Sequence, residues 1–230
     1  MNKTKNAILS VFDKTNLDVI AKFLIKKKFT LYSTGGTSKY LKKIKIPHIE
    51  ISDYTNQKEI LGGRVKTLHP KIFGGLLGTQ TQEHQKELQS EKIVNFDMLI
   101  INLYPFEETI KKTNKSDEII EMIDIGGHSL IRAAIKNYTK TTPIVSPADY
   151  KQIIRKLPNS KIERKKYAIT ALQHITHYDI SITNWFQGIR TDEYPLRYGE
   201  NPQQKAIALV NDNSFVQMGG EKKLSYNNLL

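Results

Sequence analysis

Five short segments of this chain gather hydroxyls, glycines, cations and carboxylates at spacings that suit anion binding and proton transfer. The first is Ser10-Val11-Phe12-Asp13-Lys14-Thr15, between an apolar run and a helical pattern. A hydroxyl, a cation and helix-start amides at a strand end suit an anion, which makes Ser10, Asp13 and Lys14 candidate ligand contacts. Asp13 or Thr15 serves equally well as a helix cap. The second is Ser33-Thr34-Gly35-Gly36-Thr37. Its glycines let backbone amides approach a phosphate, and the following helix points its positive end there. It has neither the lysine of a Walker A loop nor the spacing of the dinucleotide fingerprint, so a small phosphorylated ligand fits better than a nucleotide cofactor. An ordinary glycine turn with a threonine cap is the plain alternative.

The third segment is Gly62-Gly63-Arg64-Val65-Lys66-Thr67-Leu68-His69-Pro70. In an extended backbone Arg64 and Lys66 share a side, and two neighbouring cations favour an anion or a developing oxyanion. A solvated basic pair is the alternative. The fourth, Asn102-Leu103-Tyr104-Pro105-Phe106, follows the most apolar strand candidate and sets Asn102 and Tyr104 at its end. Tyr104 also reads as a core ring with a satisfied hydroxyl. The fifth is Ile123-Asp124-Ile125-Gly126-Gly127, which runs into a helix carrying Arg132 and Lys136. Asp124 is a candidate acid or base and equally a candidate cap. Lys136 reaches the same pocket only if that helix is aimed at it.

Positioning these segments requires alternating strands and helices. Residues 7–12, 30–33, 49–52, 98–102 and 143–145 read as strands. Leu17, Ile20, Ala21, Leu24 and Ile25 recur at helical spacing. Residues 37–43, 83–90, 116–122, 130–136, 147–157 and 162–186 read as further helices, with Ser116 as a capping candidate. Such alternation predicts an α/β fold, a three-layer parallel sheet flanked by helices, with ligands outside the carboxyl ends of the strands. A boundary is expected near residue 190, followed by a tail with short strands at 206–210 and 215–218.

Hydrophobic residues make up 39% and charged residues 25%, enough for a packed core and against global disorder. The absence of cysteine excludes disulfides and a thiol nucleophile. Asp13 and Lys14 end the first apolar run too early for a signal-peptide core, and no stretch has the roughly 20 apolar residues of a membrane helix. A cytoplasmic protein is expected, with no membrane partner. The net charge of +12 comes from scattered lysines without interleaved aromatics, so no nucleic-acid partner is expected.

Taken together and in order, the five segments resemble the IMP cyclohydrolase domain of the bifunctional AICAR transformylase/IMP cyclohydrolase family. Residues 33–37, 63–71, 102–106, 123–127 and 133–137 carry the resemblance, which extends over essentially the whole chain. Residues 197–202 and 224–230 look like the opening of that family's transformylase half. The resemblance implies a methylglyoxal-synthase-like fold for residues 1–190 and a linker with an incomplete transformylase start for 191–230. It implies cyclisation of the formamido ribotide FAICAR to IMP with loss of water, the last step of de novo purine biosynthesis. It implies no cofactor or metal for that step, with 10-formyltetrahydrofolate serving only the transformylase half. That half's Lys-His pair lies beyond Leu230, so no transformylase activity is expected. A homodimer is also implied.

By the same resemblance, Lys66, Tyr104, Asp124 and Lys136 are catalytic, with Lys66 stabilising the oxyanion and Lys136 as proton donor and acceptor. Ser10, Asp13, Lys14, Ser33, Thr34, Gly35, Gly36, Thr37, Arg64, Val65, Thr67, Asn102, Ile125, Gly126 and Gly127 line the substrate. Four positions depart from the family pattern: Phe12 for Ser, Phe73 for His, His128 for Pro or Val, and Gln203 for His. The alternative function is a ligand-binding module of the same fold without catalysis.

Overall fold

Five parallel strands form the centre of the computed structural model, which describes residues 5–188, 191–196 and 206–211. They are β1 (Lys5–Val11), β2 (Phe29–Ser33), β3 (Ile49–Glu50), β4 (Met98–Asn102) and β5 (Thr142–Ile144), in the order β3-β2-β1-β4-β5. Ala7, Ile8 and Leu9 on β1 are all fully buried, which requires cover on both faces of the sheet. On one face Ala7, Leu9, Leu31, Met98 and Ile100 pack with Leu17, Ile20, Ala21 and Leu24 of α1 (Leu17–Lys26) and Tyr150 and Ile153 of α9 (Tyr150–Arg155). The two-residue period sends Ile8, Leu99 and Ile101 to the other face. There α8 (Ile125–Lys136) packs on β4 and β5, and α4 (Pro70–Leu77) packs on α8. Each large aliphatic side chain so buried stabilises the fold by about 1.5–3 kcal/mol.

The remaining helices are α2 (Gly35–Lys43), α3 (Ile51–Thr55), α5 (Gln82–Ser90), α6 (Phe106–Lys112), α7 (Ser116–Ile120) and α10 (Lys161–Phe186). Local chemistry sets several starts. His69 caps α4 by accepting from the Lys71 amide at 3.1 Å, with Pro70 at the first position, where its missing N–H costs nothing. Thr81 caps α5 through the His84 amide. Ser146 caps the 3-10 turn Pro147–Asp149, which precedes α9, so the helix expected from 147 is split.

Other expectations shift. The strand expected at 49–52 keeps only Ile49 and Glu50, because β3 pairs with β2 at Tyr32 and Ser33 alone and Ile51 opens α3. Ser116 is the first helical residue of α7 and caps nothing; Lys115 holds the cap position, its amide taken by the Thr113 hydroxyl. The helix expected from 130 begins at Ile125.

The chain divides into two compact units, Met1–His177 and Tyr178–Leu230, so the division falls inside α10. In the second unit β6 (Thr191–Leu196) and β7 (Ala206–Asn211) pair antiparallel. The strand expected at 215–218, the strings at 197–202 and 224–230, and Gln203 lie outside the described residues. Among the described residues no helix is long and apolar enough to cross a membrane.

Candidate functional site

The carboxyl ends of β1 and β4 are level, with Val11 opposite Asn102, and β2 ends beside them two residues earlier, with Ser33 opposite Leu9. The loops that leave them therefore meet. Asn102 closes β4 onto the first loop: its Oδ1 accepts from the Phe12 amide at 2.7 Å and the Asp13 amide at 2.9 Å, and its Nδ2 donates to the Asp13 carbonyl. Its carboxamide shapes the loop rather than facing a ligand. Asp13 also serves the loop, accepting from the Thr15 amide at 2.9 Å. The Thr15 hydroxyl, then its amide, hold the Asp13 carboxyl below the ordinary aspartate value. Ser10 lies within β1, ahead of the loop. Lys14 donates to the Phe12 carbonyl at 3.1 Å, and its ammonium lies 3.9 Å from where a Cβ on Gly36 would stand. Lys14 and the glycine turn are thus brought together.

Two expected ligand hydroxyls are consumed by the fold. Ser33 is fully buried and donates to the Leu9 carbonyl at 2.8 Å. Thr37 is 3% exposed and exchanges hydrogen bonds with both the amide and the carbonyl of Val11. Both side chains fasten β2 and α2 to β1, because polar groups this deep must pair with backbone. What stays open at the start of α2 is backbone. Gly35 has a positive φ of 54° and Gly36 is exposed, which leaves room for an anion against the turn. Thr34 precedes α2, and its hydroxyl donates to Glu59 at 2.9 Å.

The third segment is not extended. Ile60 and Val65 pair antiparallel around a tight turn in which Leu61, Gly62 and Gly63 all have positive φ. Arg64 has helical angles (φ −63°, ψ −29°), so Arg64 and Lys66 do not share a side. Arg64 is ion-paired with Glu121 at the end of α7 instead. Val65 contributes its backbone to the bridge. Lys66 turns inward and donates to the Tyr104 hydroxyl at 3.3 Å, its ammonium 6.0 Å from the ring centre. Thr67 is 2% exposed, with its hydroxyl 2.8 Å from where a Cβ on Gly126 would stand. Phe12 is half exposed and meets the Tyr104 ring edge to face at 5.8 Å.

Asp124 completes the group. Its carboxylate caps α8 by accepting from the Gly127 amide at 2.6 Å. A Cβ on Gly127 would stand 2.5 Å from the same carboxylate, which explains the glycine. Burial pushes the Asp124 carboxyl above the ordinary aspartate value, against the opposing pull of the Gly127 amide, Lys66, His128 and the Tyr104 backbone. Ile125 is largely exposed beside it.

Lys136 is not brought to this group. α8 runs unbroken from Ile125 to Lys136, so Lys136 lies about 18 Å along the axis from Asp124. The nearby Lys140–Asp97 ion pair and the Thr142–Met98 pairing mark that end as the amino end of the sheet, away from the loops. Asn137 there binds the carbonyls of Leu76 and Gly78.

The arrangement thus joins a glycine turn with an adjacent ammonium to an ammonium, a phenol and a half-buried carboxyl. The first pair suits a phosphoryl group, and the second set suits oxyanion stabilisation with proton transfer. Among the described residues no group of three or more His, Asp and Glu side chains is placed to hold a metal ion. Glu59 and Glu121 carry no motif, and sequence reasoning passed over both. Only the hairpin and the end of α7 bring them to the site.

Comparison with known proteins agrees with this fold. Residues 16–129 match the MGS-like domain, and residues 134–230 match the AICARFT/IMPCHase bienzyme. The chain is 41% identical over 97% of its length to the bifunctional purine biosynthesis protein PurH of Prochlorococcus marinus subsp. pastoris. It is 42% identical over 98% of its length to PurH of Staphylococcus aureus. In both cases the match covers 47% of the relative, so the chain spans about half the length of the curated relatives it matches. A crystal structure of ForH superimposes with a TM-score of 0.71 at 27% identity, covering 80% of this chain and 97% of that one. The chain thus joins an MGS-like domain in its amino-terminal part to a segment of the AICARFT/IMPCHase bienzyme family.

Proposed function

We propose that this chain is an IMP cyclohydrolase that closes FAICAR to IMP. The observation that carries the reading is the meeting of Lys66, Tyr104 and Asp124, from three separate loops, beside the glycine turn. The PurH relatives are named as purine biosynthesis proteins, which supports a purine ribotide as the ligand.

In this reading the ribotide phosphate lies on the Gly35–Gly36 backbone near Lys14, and the base reaches toward Tyr104. The carboxamide nitrogen attacks the formyl carbon, and the formyl oxygen becomes an oxyanion. Lys66 stabilises that charge, and Tyr104, hydrogen-bonded to Lys66, passes a proton toward it. One N–H proton goes to the new hydroxyl. The hydroxyl then leaves with a second N–H proton as water, and Asp124 takes up and returns that proton. Both reacting groups belong to one molecule, so positioning supplies much of the rate.

The step as proposed uses only these side chains. Folate chemistry belongs to the transformylase half of the longer family proteins. One observation favours the alternative of a binding module without catalysis: Lys136, to which the resemblance gives proton transfer, stands at the far end of α8. Incubating the chain with FAICAR and following IMP separates the two readings. Formation above background that is lost in Lys66→Ala supports the enzyme; tight IMP binding without turnover supports the module.

A further inference from the structure

The hairpin that delivers Lys66 to Tyr104 also delivers a carboxylate to the glycine turn. Ile60 and Val65 form the bridging pair. Glu59 and Lys66 stand one residue outside it on opposite legs, so they face each other and leave the hairpin on the same side. Both end at Gly35: a Cβ built there would lie 3.5 Å from the Lys66 ammonium and 3.8 Å from Glu59 Oε1. The second carboxylate oxygen lies 3.4 Å from the equivalent point on Gly63. Thr34 holds the N-cap position of the nine-residue α2, yet its hydroxyl makes no capping bond and donates to Glu59 at 2.9 Å instead. An anionic side chain therefore sits at the positive end of α2, where a ligand anion would be favoured for the same electrostatic reason.

We propose that Glu59 is a built-in placeholder for the phosphoryl seat: its carboxylate holds the Thr34 hydroxyl in the ligand-free chain and leaves when a phosphoryl group enters. The inference rests on the reading that the turn at Thr34–Gly36 takes the phosphate of a ribotide. A carboxylate and a phosphate dianion repel at this range, and one hydroxyl hydrogen serves only one of them. Because Glu59 and Lys66 share a hairpin, release of one leg frees the other to settle on the reacting group. Filling the phosphate seat is thereby coupled to releasing toward the reacting group an ammonium that in the ligand-free chain rests on Tyr104. The charge of Glu59 sets a handicap on affinity that a neutral side chain lacks.

The test is calorimetric titration of the 230-residue chain and its Glu59→Gln variant with IMP, and separately with inorganic phosphate. Glutamine keeps the size and the acceptor for Thr34 but removes the charge. IMP should bind the variant about tenfold tighter, with phosphate shifted the same way and the ligand-free unfolding temperature unchanged. Glu59→Ala, which removes stem and charge together, should shift affinity in the same direction. IMP binding that is equal or weaker in both variants overturns the placeholder while leaving the site reading intact. Failure of IMP to bind the parent and both variants overturns the site reading and the placeholder with it.

Discussion

The Lys66 ammonium lies 3.3 Å from the Tyr104 hydroxyl, although 38 residues separate them. The contact joins the hairpin after α3 to the loop after β4, so an ammonium and a phenol share one proton-bearing bond beside the half-buried Asp124. In the proposed mechanism that relationship supplies the acid and base, and it exposes the site to specific tests.

Asp124→Asn separates the two duties of the residue. Asparagine still accepts from the Gly127 amide and is a good helix cap. It offers no carboxylate, so turnover should fall by about 10²-fold. The stability effect runs the other way. The folded chain holds the Asp124 proton more tightly than the unfolded chain, because burial raises its pKa. Its contribution is full below the ordinary aspartate value of 3.8 and is lost as pH rises through the raised folded value. At neutral pH the variant should therefore melt at or above the parent temperature. A variant several degrees less stable with undiminished turnover would contradict both parts.

Lys136→Ala should keep turnover within about twofold of the parent, because a side chain some 18 Å along α8 does not reach the reacting atoms. Steady-state rates decide this. A hundredfold loss of kcat in the folded variant would show that Lys136 acts on the substrate by a route this geometry does not contain.

Glu163 anchors the start of α10. Its carboxylate accepts from the amides of Asn159 and Ser160 and pairs with Lys156 at 2.5 Å, while Ser160 Oγ accepts from the Glu163 amide. This reciprocal capping satisfies helix-start donors. The Lys156 bond, then the two amides, hold the carboxyl down to about 2. Its stabilisation is present above the ordinary value of 4.5 and is lost as pH falls through about 2. Glu163→Ala should lower the unfolding temperature at pH 7, and the gap from the parent should close toward pH 2. A gap independent of pH would contradict the assignment.

Much of the sheet was legible in the residues. β4 is an unbroken apolar run, and α1 shows its buried positions at helical spacing. β3 and the start of α8 were not. Two residues of edge strand carry no pattern, and Ile-Gly-Gly reads as loop until Asp124 is seen capping it. α4 carries Gly74 and Gly75, poor helix formers. A Cβ on Gly75 would stand 2.4 Å from the Val94 carbonyl, so packing against the approach to β4 dictates glycine there. In the site, the meeting of Lys66, Tyr104 and Asp124 followed from family resemblance. Ser33 and Thr37 misled because a hydroxyl beside a glycine turn looks the same in sequence whether it faces a ligand or a backbone. The roles of Glu59 and Glu121 depend on long-range placement, which single residues do not announce.

The central claim is that this chain closes FAICAR with Lys66 stabilising the oxyanion. The most direct measurement is IMP formation by the purified chain and by Lys66→Ala, with binding of IMP recorded for both. The account predicts turnover by the parent, with kcat reduced by about 10²–10³-fold in the variant and IMP affinity changed far less. Equal turnover in the two folded proteins, or none above the uncatalysed rate in the parent, would contradict it.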